Sequence, residues 1–198
     1  SADVARKGRQ GVAAPPVELR LVDDDGAELP WAGETVGEIE ARGPWIAAAY
    51  YEPDDDSNET RFDDGWLRTG DVGRIHPDGT LEIVDRTKDL VKSGGEWISS
   101  VELERVLATH PAVRESAVVA IPHERWGERP AALVVLDPDA AATEEELKRF
   151  LASKVAKWQV PDVIELVDEL PKTGVGKVDK RRLRDEVVPT LAARLGHT

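Results

Sequence analysis

The chain has 198 residues, 40% hydrophobic and 33% charged, enough for one large domain or two small ones with a real core. Its formal charge of −13 at pH 7 argues against a nucleic-acid partner, because a polyanion is repelled unless a basic face is segregated. It has no cysteine, hence no disulfide and no thiolate metal site, and no apolar run near the ~20 residues of a membrane span. The N-terminus lacks a basic-then-apolar signal. A cytoplasmic protein is expected.

In chain order, the front third reads as short strands. Residues 17–22 and 37–42 alternate apolar and polar, and Trp66-Leu-Arg68 is a third candidate. Residues 72–76 and 80–84 flank Pro77-Asp78-Gly79, a hairpin signal. This spacing suggests a small antiparallel barrel or sandwich. The acidic runs Asp23-Asp-Asp-Gly26 and Asp54-Asp-Asp56 lack the alternating oxygen ligands of a calcium loop and read as solvated turns. No residue of the chain is assigned to a metal.

From residue 86 the pattern is mixed. Ser99-Ser-Val-Glu102 has capping-box spacing and opens a helix through Leu103, Val106 and Leu107, closed by His110-Pro111. Residues 115–121 and 131–136 are apolar strands. Thr143 caps a second helix through Leu147, Phe150, Leu151 and Val155; residues 163–167 form a strand. A last helix holds residues 180–184 with Leu183, Val187 and Val188. The charge balance shifts at the same place. Residues 1–85 hold 8 basic against 20 acidic side chains, and residues 86–198 hold 18 against 19. A boundary near residue 86 follows.

Three stretches stand out chemically. Trp66-Leu-Arg-Thr-Gly-Asp71 places a carboxylate where it can accept hydrogen bonds from two adjacent hydroxyls, although Thr-Gly-Asp alone is a common turn. Asp85-Arg-Thr-Lys-Asp-Leu-Val-Lys-Ser-Gly-Gly-Glu-Trp-Ile-Ser99 holds Arg86, by itself readable as half of a surface ion pair, and Gly94-Gly95, by itself a hairpin turn. Pro171-Lys-Thr-Gly-Val-Gly-Lys177 reads as a flexible, exposed lysine loop. It is no Walker-type phosphate loop, because Pro171 and Val178 stand where glycine and Ser/Thr are needed.

Together these stretches resemble the closing half of an acyl-CoA synthetase of the adenylate-forming superfamily, enzymes that activate a carboxylate as an acyl-adenylate and then thioesterify it. The resemblance covers residues 8–186. It is nearest in type to medium- and long-chain fatty-acyl-CoA synthetases, through residues 85–99 and Ala156-Lys-Trp-Gln-Val-Pro161.

The fold class it implies is α+β. Residues 1–85 would be a small antiparallel β-barrel-like subdomain, the last of the large N-terminal domain. Residues 86–198 would be a compact, mobile C-terminal domain of the adenylate-forming type. It implies roles as well: Lys177 as catalytic lysine, Asp71 and Arg86 on AMP or ATP, and Lys88 as hinge. Gly94, Gly95, Trp97, Trp126 and Trp158 would lie against CoA, although core packing is the usual fate of tryptophan. Val160 and Asp162 replace the basic residues with which some relatives bind the CoA phosphates.

Fatty acid, ATP and CoA would be the ligands, with Mg2+ accompanying ATP and held mainly by the absent N-terminal part. A protein acetyltransferase acting at Lys177 and a homodimer through that absent part are further implications. So is a location in the cytoplasm, free or at the periphery of a membrane. The glycine-rich phosphate loop and the acyl pocket are not in these 198 residues, so the piece alone is expected to be inactive. Two alternatives stand beside this reading: a non-catalytic fragment or interaction module, and an adenylate-forming enzyme for a different carboxylate.

Overall fold

The computed structural model describes residues 9–51 and 57–195. It divides the chain between Lys88 and Asp89 into two compact units. The charge break put that boundary after Asp85. The strand containing Asp85 continues to Arg86, and the Thr87 N–H still donates to the Gly70 carbonyl at 2.9 Å. These backbone bonds keep Arg86 and Thr87 with the first unit.

The first unit is an antiparallel sheet of β1 (Glu18–Val22), β2 (Glu28–Leu29), β3 (Gly37–Arg42), β4 (Phe62–Asp63), β5 (Trp66–Ile75) and β6 (Leu81–Arg86), with a short helix α1 (Ser57–Arg61). The order is β2-β1-β3-β5, and both β4 and β6 pair with β5. The sheet is curled, as a barrel-like subdomain would be, although no ladder among the described residues joins β2 to β6.

One face buries Leu21, Ile39 and Ile75. The other carries a ladder of charges: Arg20 lies opposite Glu40, and Glu40 opposite Arg68. Glu40 is buried and takes both arginines, at 2.6 and 3.3 Å. The Asp23 carboxylate accepts the N–H groups of Asp25 and Ala27, so the first acidic run is a self-capped turn. The second run, residues 54–56, lies outside the described residues.

The two expected strands at 66–68 and 72–76 are one ten-residue strand, β5, with Thr69-Gly70-Asp71 inside it. Gly70 makes this possible. Its φ of +75° bends the strand, and the ladder to β3 shifts register there, between Glu38 and Glu40; the ladder to β6 shifts further on, between Val72 and Gly73, where Val84 of β6 is the extra residue.

The second unit comprises β7 (Val91–Ser93), β8 (Glu96–Ile98), α2 (Ser100–Leu107), β9 (Val113–His123), β10 (Gly127–Leu136), α3 (Glu144–Ala152), β11 (Val163–Leu166), α4 (Lys180–Glu186) and α5 (Val188–Leu195). Central β10 pairs antiparallel with β9 and parallel with β11. Helices cover both faces, which is why β9 and β10 read as unbroken apolar runs instead of alternating. Val118, Ala132 and Val134 face Leu103, Leu107, Leu147 and Leu151 of α2 and α3. Ala117, Val119, Ala131, Leu133 and Val135 face Leu183 and Leu191 of α4 and α5. Each fully buried leucine contributes about 1.5–3 kcal/mol.

The expected caps form. Ser99 accepts the Glu102 N–H at 3.1 Å, and Thr143 with Glu146 makes a reciprocal capping box. Three local expectations change. The lysine stretch is an ordered hairpin: Lys172 bridges Val178, Thr173 N–H donates to Lys177 O at 2.7 Å, and Gly176 N–H to Thr173 O at 2.9 Å. Val155 lies beyond α3. The last helix is two, because Val187 caps α4 and Pro189, which has no N–H, sits in the first turn of α5.

Candidate functional site

In the first unit, Asp71 follows the bend at Gly70 in β5 and faces Arg86, its register partner on β6. Arg86 Nε lies 3.0 Å from Asp71 Oδ1, with the carboxylate half-buried and the guanidinium exposed. The Asp71 N–H donates to Thr69 Oγ1 at 3.1 Å, and that hydroxyl donates to Ile39 O at 2.7 Å, so the carboxylate's backbone is fixed. A cleft of about 310 Å³ opens alongside, lined among others by Arg61, Arg68, Thr69, Gly70, Arg86 and Thr87.

Arg61 and Thr87 escaped sequence reasoning. Arg61 fills the space above Gly70, where an added Cβ would lie 2.6 Å from its Nη1. Thr87 Oγ1 is buried and has no hydrogen-bond partner among the described residues. The cleft thus offers cations, hydroxyls and the Glu38 carboxylate on its wall, with Asp71 reached through Arg86 beside it, a donor and acceptor set suited to a ribose and phosphate. Lys88, the expected hinge, is exposed and is the last residue of this unit. Among the described residues no group of three His, Asp or Glu is placed to hold a metal ion.

In the second unit, Gly94 and Gly95 form the two-residue loop of the β7–β8 hairpin, with φ of +61° and +88° as a type I′ turn requires. Trp126 occupies the space beside Gly94, 2.8 Å from where a Cβ would sit, and its carbonyl accepts the Gly94 N–H at 2.8 Å. Trp97 carries Lys92 Nζ at 5.5 Å from its ring centre, and Trp126 carries the Arg125 guanidinium at 4.5 Å. Trp158 sits on a single 3-10 turn (Lys157–Gln159). Trp126 and Trp158 are 41% and 44% exposed, too much for core residues. The structure brings Gly94, Gly95 and Trp126 together. It ties Trp158 to them through buried Arg129, which no sequence motif singled out.

Lys177 is exposed at the end of its hairpin. Its ammonium has no ion pair or hydrogen bond among the described residues. Its neighbours differ: Lys172 pairs with Glu115, and Lys180 with Glu104 at 2.8 Å and Ser100 at 2.7 Å.

Comparison with known proteins bears on this arrangement. Residues 102–177, ending on Lys177, match the family described as AMP-binding enzyme C-terminal domain. The second unit carries an AMP-binding enzyme C-terminal domain.

This C-terminal domain and the sheet before it are matched together in longer relatives. The chain is 47% identical over 182 residues to a 3-methylmercaptopropionyl-CoA ligase of Ruegeria lacuscaerulensis, covering 91% of this chain and 33% of that one. It is 45% identical over 180 residues to a long-chain-fatty-acid–CoA ligase of Thermus thermophilus, again 91% and 33%. The crystal structure of ATP-bound MatB from Rhodopseudomonas palustris superposes with a TM-score of 0.79 at 36% identity, over 90% of this chain and 35% of that one. The chain thus spans about one third of the length of these relatives. Within the matched residues 102–177 lie Trp126, Arg129, Trp158 and Lys177; Gly94, Gly95 and Trp97 precede them.

Proposed function

We propose that this chain is the C-terminal portion of an ATP-dependent fatty-acid:CoA ligase. Such an enzyme joins a carboxylate to AMP with loss of pyrophosphate, then transfers the acyl group to the CoA thiol with release of AMP. The observation that carries the reading is Lys177: an ammonium with no partner among the described residues, on an ordered, exposed hairpin between two lysines that are both ion-paired. It is free to be offered to a phosphate, where it would stabilise the charge developing between carboxylate and α-phosphate. Asp71 would accept hydrogen bonds from the ribose hydroxyls, and Arg86 would reach ribose or phosphate. Lys88, the last residue of the first unit, would be the hinge between the two half-reactions.

Gly94 and Gly95 would let the pantetheine arm of CoA pass against main chain, with Trp97, Trp126 and Trp158 beside it. Mg2+ would accompany ATP on residues outside this chain. Acetylation of Lys177 by a protein acetyltransferase would remove its charge and silence adenylation. A homodimer through the N-terminal part and a cytoplasmic or peripheral-membrane location complete the proposal.

A second reading concerns the acid. Identity to the 3-methylmercaptopropionyl-CoA ligase is as high as to the fatty-acid ligase, so a short thioether acid competes with a fatty acid. The test is AMP release and thioester formation by the full-length protein with ATP, CoA and a series of carboxylates. Turnover highest with medium or long fatty acids supports the proposal. Turnover only with short acids gives the second reading, and none with any carboxylate overturns both.

A further inference from the structure

Arg129, on β10, is 9% exposed and is the one buried cationic side chain among the described residues. Its Nε donates to Asp162 Oδ1 at 3.0 Å, and Nη2 to the same oxygen at 2.8 Å and to Val160 O at 2.9 Å. Its Nη1 donates to Trp158 O at 2.6 Å and to Ser93 Oγ at 3.2 Å. A guanidinium has five N–H donors in a rigid plane, and these five bonds use all of them.

The acceptors come from two segments far apart in sequence. Ser93 is the residue immediately before Gly94-Gly95. Trp158 and Val160 are backbone carbonyls of and just after the 3-10 turn, and Asp162 ends that segment. The Trp158 indole is nearly half exposed and so has little packing of its own to hold it. On the other side of the hairpin, Gly94 N–H donates to Trp126 O. Hydrogen bonds therefore tie Trp158 through Arg129 to Ser93, and the peptide bond from Ser93 leads to Gly94, which is bonded in turn to Trp126.

We infer that Arg129 is a positioning residue for the thiol substrate: it holds the exposed Trp158 in fixed register with the Gly94-Gly95 turn, so that the two form one preorganised wall. Asp162 serves this role as the anion that balances the buried guanidinium. Asp162 in place of a basic residue then has a structural reason, because its carboxylate accepts from Arg129, whereas Val160 contributes a backbone carbonyl that any residue would supply. The inference rests on the proposal that this wall faces CoA.

The test uses Arg129→Lys and Asp162→Asn in the full-length protein. Lysine keeps the charge but has three donors around one point and cannot span the two segments. The asparagine keeps an oxygen for the guanidinium and removes the counter-charge. The readouts are the KM for CoA in thioester formation from preformed acyl-adenylate, the rate of adenylation by pyrophosphate exchange, and the melting temperature. A tenfold or greater rise in the CoA KM, with adenylation within about twofold, is expected for Arg129→Lys, and a smaller rise for Asp162→Asn. An unchanged CoA KM, or parallel loss of both half-reactions through misfolding, overturns the positioning role. Trp158→Ala and Gly95→Gln in the same assay separate two failures. If these affect thioester formation and Arg129→Lys does not, the inference alone is wrong. If none of them does, the CoA reading of the wall is wrong and the inference falls with it.

Discussion

Asp71 and Arg86 face each other as partners across β5 and β6, with Arg86 Nε 3.0 Å from Asp71 Oδ1. Asp71 directly follows Gly70, whose positive φ bends β5 against β3, and Arg86 lies past the register shift in which Val84 of β6 is extra, so irregularities in two ladders flank the pair. The two side chains hold each other at the edge of the cleft, and a diol arriving there would find the carboxylate already oriented.

Asp71→Asn should therefore weaken nucleotide binding by the full-length protein tenfold or more, while changing stability little. A pair with one partner exposed to solvent contributes only about 0–1 kcal/mol to folding. Isothermal titration with AMP, set beside a thermal melt, checks this. An affinity within twofold of the parent would remove Asp71 from the nucleotide site.

Lys177→Ala should lower acyl-adenylate formation by about a hundredfold or more, the scale seen when a preorganised charge-stabilising donor is removed. Conversion of preformed acyl-adenylate to thioester should stay largely intact. Lys172→Ala and Lys180→Ala should not reproduce that split, because both ammonium groups are committed to carboxylates. Separate assays of the two half-reactions for all three variants distinguish the lysines. Equal effects from the three would dismiss a special role for Lys177.

The two glycines of the β7–β8 turn should respond differently to alanine. Both have positive φ, which costs an L-residue about 1–2 kcal/mol. Around Gly95 nothing lies within 4 Å of an added Cβ, so that backbone cost is the whole effect. At Gly94 the Cβ would meet the Trp126 ring at 2.8 Å, so Trp126 must also move. Urea denaturation should rank Gly94→Ala as the less stable variant, and a shift in the fluorescence of Trp126 should accompany it alone. The reverse order would contradict the packing.

The α3 capping box predicts an acid-side loss of stability. Hydrogen bonds from the Thr143 backbone and side chain hold the Glu146 carboxyl below its ordinary pKa. A group whose pKa is lowered by folding stabilises fully above its unfolded value, and that contribution disappears as pH falls through the lowered one. Glu146→Gln should flatten the decline of the urea midpoint across that acid range relative to the parent. Identical pH profiles would show that the box is not coupled to proton binding.

The sequence by itself determined the features whose signals are local. Ser99 and Thr143 announce their helices because a cap and its N–H lie three residues apart. Pro77-Asp78-Gly79 announces its turn, and the Gly94-Gly95 pair allows the hairpin that forms. The lysine stretch is visible as a motif, and its two glycines suggest flexibility, whereas Thr173 and Lys177 close it with hydrogen bonds four residues apart. Only the tertiary structure decided that residues 66–75 are one strand, because continuity there depends on register shifts against β3 and β6. Only it separated Lys177 from Lys172 and Lys180, whose carboxylate partners are 57 and 76 residues away along the chain. Arg129 shows the limit most plainly: its acceptors lie 29 to 36 residues distant in both directions, and a periodic pattern carries information about which face a residue occupies, not about which distant oxygen it will meet.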